Sequence, residues 1–366
     1  MASNKNKSMG REFKHLVLLW TFQCLEKFGL LSFLLFIADY CEVKRLDCGD
    51  EKVIFPYIRK RKDFHFLILV GHRVNDSPDP FIGGIHPSVF KRQLETLSKS
   101  FQILPLKEVL LRAQQSDLPP NALAITFDDG YRDNYEHAYP ILRALGVPAT
   151  IFLSTGPLES EQEPLWHDLV FDAFRRTEAP TVAIGDTTYS LKTLQERRQA
   201  LWVFRQFLRG FEFCDWKGLI ARLRVDLGFA KDWSCPGFEK LEWWHIKEMA
   251  QQQISIGVHT VSHPLLTCLP IGEAIQEIKI SKAAIEKNLG LAADLFAYPN
   301  GNRKDFNETI KEVLRDEGFL CGVTTIHGTN CVHTDRFELR RLGLSSDHHN
   351  IAPLRLGWNK FRLSGS

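Results

Sequence analysis

From Phe66 onward the chain repeats one pattern that few folds satisfy. Apolar runs of strand length, each ended by a polar residue or a glycine, are separated by stretches with helical periodicity. Phe66–Val70, Ala122–Phe127, Ala149–Leu153, Ile254–Val258, Leu295–Tyr298 and Phe319–Thr324 read as buried strands, covered on both faces. Between them, Phe90, Leu94 and Leu97 fall at i, i+4 and i+7, and Tyr135, Ala138, Leu142 and Leu145 recur at three and four, so each stretch lays one apolar stripe on a sheet. Phe306, Ile310, Val313 and Leu314 make another stripe, and Gly146, Gly290 and Gly318 stand where left-handed helix ends are needed. This α/β alternation predicts a parallel sheet, either open and doubly wound or closed as a barrel. In both, chemistry gathers at the carboxyl ends of the strands.

Two stretches depart from the rhythm. In residues 1–62, Lys5, Lys7 and Arg11 precede apolar runs at Leu16–Trp20 and Phe28–Ala38, but Glu26 and Lys27 split the runs. Neither run reaches the roughly 20 residues of a bilayer crossing, and no clear A-x-A cleavage site follows. The segment reads as helical, either packed on the main domain or associated peripherally with a membrane, with an uncleaved signal anchor as the alternative. Between about 157 and 240, Leu194, Leu201, Phe204 and Leu208, then Leu219, Ile220 and Leu223, predict a helical insertion rather than strands. Its Trp166, Trp202, Trp216 and Trp233 read as packing residues in preference to a sugar-binding wall. The domain from 63 to 366 is thus one barrel-like unit carrying an insertion.

Composition narrows the function. Forty-six Lys and Arg against 44 Asp and Glu leave a net charge of +2, which offers nucleic acid no strong field. The eight cysteines include no C-x-x-C pair, which argues against a zinc ribbon or a dense disulfide framework. Free thiols in a reducing setting, cytoplasmic or at a membrane, are the expectation.

The strand ends carry the chemistry. Ile125-Thr126-Phe127 runs into Asp128-Asp129-Gly130, and two adjacent carboxylates at a strand terminus repel unless a cation, a proton or solvent separates their charges. Ile256-Gly257-Val258 leads into His259-Thr260-Val261-Ser262-His263, where a helical turn would aim both imidazoles the same way. Two imidazoles and a carboxylate suit zinc and its first-row neighbours, and leave positions for water and substrate. One Asp would ligate, and its neighbour would take a proton from the bound water. Phe296-Ala297-Tyr298-Pro299-Asn300-Gly301 offers turn N–H groups to an oxyanion, and His72 ends the earliest strand.

Thr126–Tyr131, His259–Pro264 and Phe296–Gly301, in this order, resemble the first three motifs of the polysaccharide deacetylase family, the NodB-homology enzymes of carbohydrate esterase family four. The likeness extends from about Phe64 to Leu344 and includes the Gly71-His72-Arg73-Val74-Asn75 approach. It implies a distorted (β/α)7 TIM-like barrel, a divalent ion (Zn2+ foremost, with Co2+, Ni2+ or Mn2+ as substitutes) and hydrolysis of N-acetyl groups on a polysaccharide or glycan. By position, Asp128 resembles the catalytic base, and Asp129, His259 and His263 the metal ligands. Ala297 stands where better-known members have an arginine that orients the base, and Asn300 stands where they have tyrosine, a style similar to the exopolysaccharide-associated branch. Arg340 or Arg341, ending the last predicted strand, is the expected replacement, Arg341 being the choice. The family's Leu-x-His general acid is missing from Leu339–Gly343, which leaves His72, His327 and His333 as candidates, His72 foremost. Tyr298 and Asn300 are expected at the oxyanion and substrate side. Two rival readings remain: a deacylase of another N-acyl amino sugar, such as an N-formyl one, and a glycan-binding module that has lost turnover.

Overall fold

The computed structural model describes residues 65–344 apart from 77–78, 160–163 and 231–232. The expected helical segment at 1–62 lies outside the described residues. The chain runs β1 (His65–Gly71), α1 (Pro87–Ser98), β2 (Gln102–Ile103), α2 (Leu106–Gln114), β3 (Ala122–Phe127), α3 (Tyr139–Leu145), β4 (Ala149–Leu153), α4 (Gly156–Glu159), α5 (Trp166–Arg176), β5 (Thr181–Ile184), β6 (Thr187–Ser190), α6 (Leu194–Leu208), α7 (Phe213–Asp226), α8 (Trp243–Ala250), β7 (Ile254–Val258), α9 (Ile271–Leu289), β8 (Leu295–Ala297), α10 (Glu308–Asp316), β9 (Cys321–His327), β10 (Asn330–Cys331) and β11 (Leu339–Gly343).

β1, β3, β4, β7, β8, β9 and β11 pair in parallel in that order, and β11 returns to β1. The sheet therefore closes into the expected seven-stranded barrel. Closure removes the sheet edges and fixes which side chains point inward, because successive residues alternate faces. Phe66, Ile68, Ala122, Ala124, Leu295, Ala297, Cys321, Val323 and Leu339 form one buried cluster, to which α2 contributes Leu106, Val109, Leu110 and Ala113. Asp128 continues the parity of Ala122 and Ala124, and Arg341 that of Leu339. The register thus brings both toward the mouth of the barrel.

Left-handed glycines end two helices as expected, Gly146 at φ 64° and Gly290 at φ 67°. Ahead of α3 the chain makes a wide π turn at Asn134–Ala138, in which the Tyr139 N–H bonds back to Asn134 O. Pro140, with no N–H to give, suits this break from regular α-helical bonding.

Residues 156–250 supply α4 to α8, but they also contain an antiparallel hairpin, β5 and β6, that the helical expectation did not include. The hairpin is built on alternation: Val182 and Ile184 are buried, Thr181 and Ala183 exposed, and Gly185 turns the chain at φ 59°. The insertion has its own core, in which Val182, Phe204, Leu208, Trp216 and Ile220 pack with Val170 and Phe174, and Leu265 joins it from the loop after β7. The four tryptophans divide. Trp216 is 2% exposed and belongs to this core, whereas Trp202 is 61% and Trp233 46% exposed, which corrects the packing expectation for those two. Among the described residues no helix is long and apolar enough to cross a membrane, and Cys214, Cys235, Cys268, Cys321 and Cys331 form no disulfide.

Candidate active site

β3 delivers Asp128 and Asp129 to the carboxyl end of the barrel, where the backbone turns sharply: Asp129 adopts φ 74° and Gly130 φ 66°. Outside glycine, positive φ occurs among the described residues at Ser116, Asp129, Thr260, His263 and Asn300. Four of these five belong to the strand-end motifs, and backbone strain of this kind survives only where the surroundings hold it. Thr260 and His263 also correct one expectation. The two histidines are not on a helical turn; a loop with two left-handed residues brings the rings to 4.8 Å between centroids. Glu277 fixes that loop, accepting from the Val261 and Ser262 N–H groups at 2.8 and 2.9 Å and from the Ser262 hydroxyl at 2.8 Å.

Asp129, His259 and His263 each offer a ligand atom within 4.8 Å of the others, and all three are buried. Asp129 Oδ1 lies 3.4 Å from His259 Nε2 and 3.5 Å from His263 Nε2, yet forms no hydrogen bond. A buried carboxylate oxygen left between two imidazole nitrogens is a group lacking its natural partner, and a nitrogen-and-oxygen set of this kind fits a first-row divalent ion. His259 Nδ1 faces Ala297 O at 2.8 Å, which aims Nε2 at Asp129, the second-sphere arrangement usual for a metal-bound imidazole.

The neighbouring carboxylate is held differently. Arg341 Nη1 and Nη2 donate to the two oxygens of Asp128 at 2.8 and 2.7 Å, while its Nε donates to Thr324 O at 2.7 Å. Both partners are almost wholly buried, Asp128 at 2% and Arg341 at 1% exposure. Burial alone would raise the Asp128 pKa, but the Arg341 charge and hydrogen bonds, aided by His259 and His72, outweigh it and hold the carboxyl below its ordinary value. Burial likewise opposes Asp129, and the surrounding His259, His263, His167 and His72 hold it well below that value. His263 goes the other way: burial and the nearby His167 keep it neutral over the ordinary range.

Arg341 therefore meets Asp128, and Arg340 does not; Arg340 instead bonds Asn330 through its backbone. His72 is exposed just after β1, and its charge is the smallest of those that lower the two carboxylates. His327 is exposed at the end of β9, and His333 follows β10, which pairs with the first residues of β1 at the amino end of the barrel, away from this mouth. Tyr298 requires a correction. It is 0% exposed, its hydroxyl donates to Phe337 O, its N–H is used by Val323 O, and its ring fills the space over Gly322, so it faces neither substrate nor oxyanion. Asn300, two residues on, stands at the mouth with its side chain toward α6.

Sequence reasoning missed a buried group beside the site. His167 and Asp168 open α5, with His167 Nε2 3.7 Å from Asp129 Oδ2 and 3.2 Å from the Tyr131 hydroxyl. Tyr131 donates to Asp168 at 2.7 Å, and Lys240 Nζ sits 3.0 Å from the other Asp168 oxygen and 3.4 Å over the Tyr131 ring. Burial pushes His167 down to about 3, with Asp129 opposing and Lys240 assisting. The one legible signal was the Trp-His-Asp run at a helix start, and nothing in its spacing tied it to Asp129.

Comparison with known proteins bears on this arrangement. The polysaccharide deacetylase family model matches residues 115–208 and 230–321, more than half of the chain. The chain belongs to the polysaccharide deacetylase family. The Bacillus subtilis protein YxkH, a polysaccharide deacetylase by name, is 24% identical over 295 residues, 79% of this chain and 75% of that one. The poly-beta-1,6-N-acetyl-D-glucosamine N-deacetylase of Staphylococcus aureus is 37% identical over 78 residues, which cover 21% of this chain and 27% of that protein. Among solved structures, the Streptococcus pyogenes deacetylase PplD in complex with acetate superposes with a TM-score of 0.54 at 21% identity, covering 80% of this chain and 97% of that one. IcaB from Ammonifex degensii gives 0.53 at 20% identity over 80% and 96%. These two likenesses speak for the barrel itself.

Proposed function

We propose that this member of the family is a divalent-metal-dependent hydrolase that removes N-acetyl groups from an amino-sugar polysaccharide and releases acetate. The observation that carries the reading is the pairing of two unlike carboxylates at one strand end. Asp129 is set among imidazoles with its Oδ1 lacking a hydrogen-bond partner, and Asp128 is held ionised by Arg341. Asp129, His259 and His263 would hold the ion, which when bound supplies a Lewis acid for the acetamide carbonyl and a more acidic water.

The chain's own residues do the rest. Asp128, ionised at neutral pH and fixed by two charge-assisted bonds, is placed to take the proton from the attacking water. Arg341 keeps that base in one orientation and prevents burial from neutralising it. As the carbon–nitrogen bond breaks, the leaving amine needs a proton. His72, exposed where β1 reaches the mouth and felt electrostatically by both carboxylates, is the donor this arrangement favours, because His167 carries no second proton at neutral pH. Asn300 faces the substrate side. Retention of the Asp128–Arg341 pair favours turnover over a binding module, since a buried ion pair is costly to keep without use. A polymer of β-1,6-linked N-acetylglucosamine is the first substrate to try, on the strength of the Staphylococcus aureus relative's name. Residues 1–62, read from sequence as a helical segment that packs on the domain or associates peripherally with a membrane, make a cytoplasmic or membrane-associated setting part of this proposal.

The test is acetate release from a panel of N-acetylated oligosaccharides, with an N-formyl analogue in parallel, by the parent and by Asp128→Asn. Release that Asp128→Asn abolishes while binding of the oligosaccharide persists supports the reading. Equal release by both proteins would overturn the assignment of the base.

A further inference from the structure

Close to His263 lies a cavity of about 140 Å3, walled by Trp166, Trp202, Arg205, Gln206, Arg209 and Asn300. It adjoins the site directly, because Trp166 Nε1 donates to His263 O at 2.8 Å. Trp202, Arg205 and Gln206 come from α6, in the insertion, and Arg209 follows directly after it.

Arg205 is the group in need of an explanation. Its NH2 reaches Asn300 Oδ1 at 3.5 Å, and its guanidinium rests 5.5 Å from the Phe171 ring centroid. Its neighbour Arg209 is paired with Asp305 at 2.7 Å, whereas Arg205 has no carboxylate partner among the described residues. Burial and the Arg209 charge outweigh the smaller support of Asp305 and hold its pKa below the ordinary value. Beside it, Asn300 Nδ2 is buried and has no acceptor. The wall thus holds a guanidinium with no carboxylate partner and an amide N–H with no acceptor, alongside the amides of Gln206 and Asn302, and the first two complement an anion. Trp202, one helical turn before Arg205, leaves 61% of its surface exposed, a flat apolar face of the kind that sits under a sugar ring.

We propose that this cavity is a subsite for an anionic substituent, a carboxylate or a phosphate ester, carried by a sugar adjoining the one that loses its acetyl group, with Trp202 the platform for that sugar. The inference rests on the deacetylase reading and adds to it a preference for glycans that carry an anionic substituent beside the acetylated sugar.

The experiment is calorimetric titration of the full chain with three probes: N-acetylglucosamine, N-acetylglucosamine 6-phosphate, and the disaccharide of glucuronic acid and N-acetylglucosamine. At least one anionic probe should bind about tenfold or more tightly than the neutral one, the worth of a charge-assisted, partly desolvated contact. That advantage should vanish in Arg205→Gln, persist in part in Arg205→Lys, and shrink as salt is added. The two anionic arms tell phosphate from carboxylate. Equal binding of neutral and anionic probes by the parent, or an advantage that survives Arg205→Gln, would overturn the subsite. A parent-like melting temperature shows the variants to be folded. Acetate release from neutral oligomers separates this inference from the one beneath it. Release without anionic preference removes the subsite and keeps the deacetylase. Preference without release from any oligomer keeps the subsite and removes the deacetylase.

Discussion

Arg341→Gln is the substitution whose outcome follows most tightly from the structure. Asp128 is 2% exposed, and the two Arg341 bonds at 2.8 and 2.7 Å are what hold its carboxyl below the ordinary 3.8. An opposite charge at this range lowers a carboxyl by about 1–3 units, so its removal lets burial raise Asp128 by at least that much. The acid limb of the kcat/KM profile for acetate release should therefore move alkaline by about 1–3 pH units, with turnover recovering as pH is raised. Breaking a buried ion pair also costs about 3–5 kcal/mol, so the melting temperature should fall by roughly 6 °C or more at neutral pH. The sign with pH follows from linkage. In the parent, the depressed carboxyl contributes stability above 3.8 that is lost as pH falls through its lower folded value. In Arg341→Gln the folded carboxyl titrates above its unfolded value, so its penalty is largest at neutral pH and fades on acidification. The stability gap between the two proteins should accordingly narrow from pH 7 toward pH 4. Acid limbs that superimpose, or a gap that widens on acidification, would refute the argument that Arg341 keeps the base ionised.

Three other outcomes are expected. His72→Ala should lower kcat by about 10²–10⁴-fold, the span of a general acid, while leaving substrate binding by calorimetry near the parent's; unchanged kcat would remove His72 as donor. Lys240→Met removes the ammonium 3.0 Å from buried Asp168, leaves that carboxyl only its Tyr131 and Leu165 hydrogen bonds, and should cost about 3–5 kcal/mol in denaturant unfolding, whereas an effect below about 1 kcal/mol would show that Lys240 does not neutralise Asp168. Gly322→Ala would place a Cβ 2.7 Å from the Tyr298 ring and should destabilise by about 1–3 kcal/mol through overpacking; a neutral result would mean that Tyr298 is free to move.

Much of the barrel was legible because its strands are buried on both faces and so read as unbroken apolar runs. Ala122–Phe127, Ala149–Leu153 and Ile254–Val258 coincide with β3, β4 and β7. The hairpin at Thr181–Ser190 escaped because its strands are short and only Val182 and Ile184 of the first are buried, a two-residue alternation lost among helical periodicity. At the site, residues adjacent in sequence were readable, and Asp128–Asp129 and the His259/His263 pair came from single strand ends. What joins them was not, for physical reasons. His167 arrives from α5 in the insertion, and its 3.7 Å approach to Asp129 depends on how that insertion folds back. Lys240 and Tyr131 meet over Asp168 across a long stretch of chain, and no local pattern marks a buried lysine as a partner. Arg341 was accessible because an Arg340–Arg341 pair ends the last predicted strand while Ala297 leaves the motif arginine missing. Which of the two meets Asp128 is decided by β11 lying beside β1, which pairs with β3, so that the inward-pointing Arg341 reaches across. Tyr298 was misjudged because a strand-end aromatic can point to either face, and here Gly322 leaves a hollow that the ring fills.

The central claim is that Asp129, His259 and His263 hold a divalent ion on which amide hydrolysis depends. The most direct measurement is elemental analysis of the purified chain and of His263→Ala, with acetate release followed before and after chelation. The account predicts close to one first-row divalent ion per parent chain, its loss in His263→Ala, and release that stops on chelation and returns when zinc is restored. A parent chain that carries no such ion and still releases acetate in the presence of chelator would contradict it.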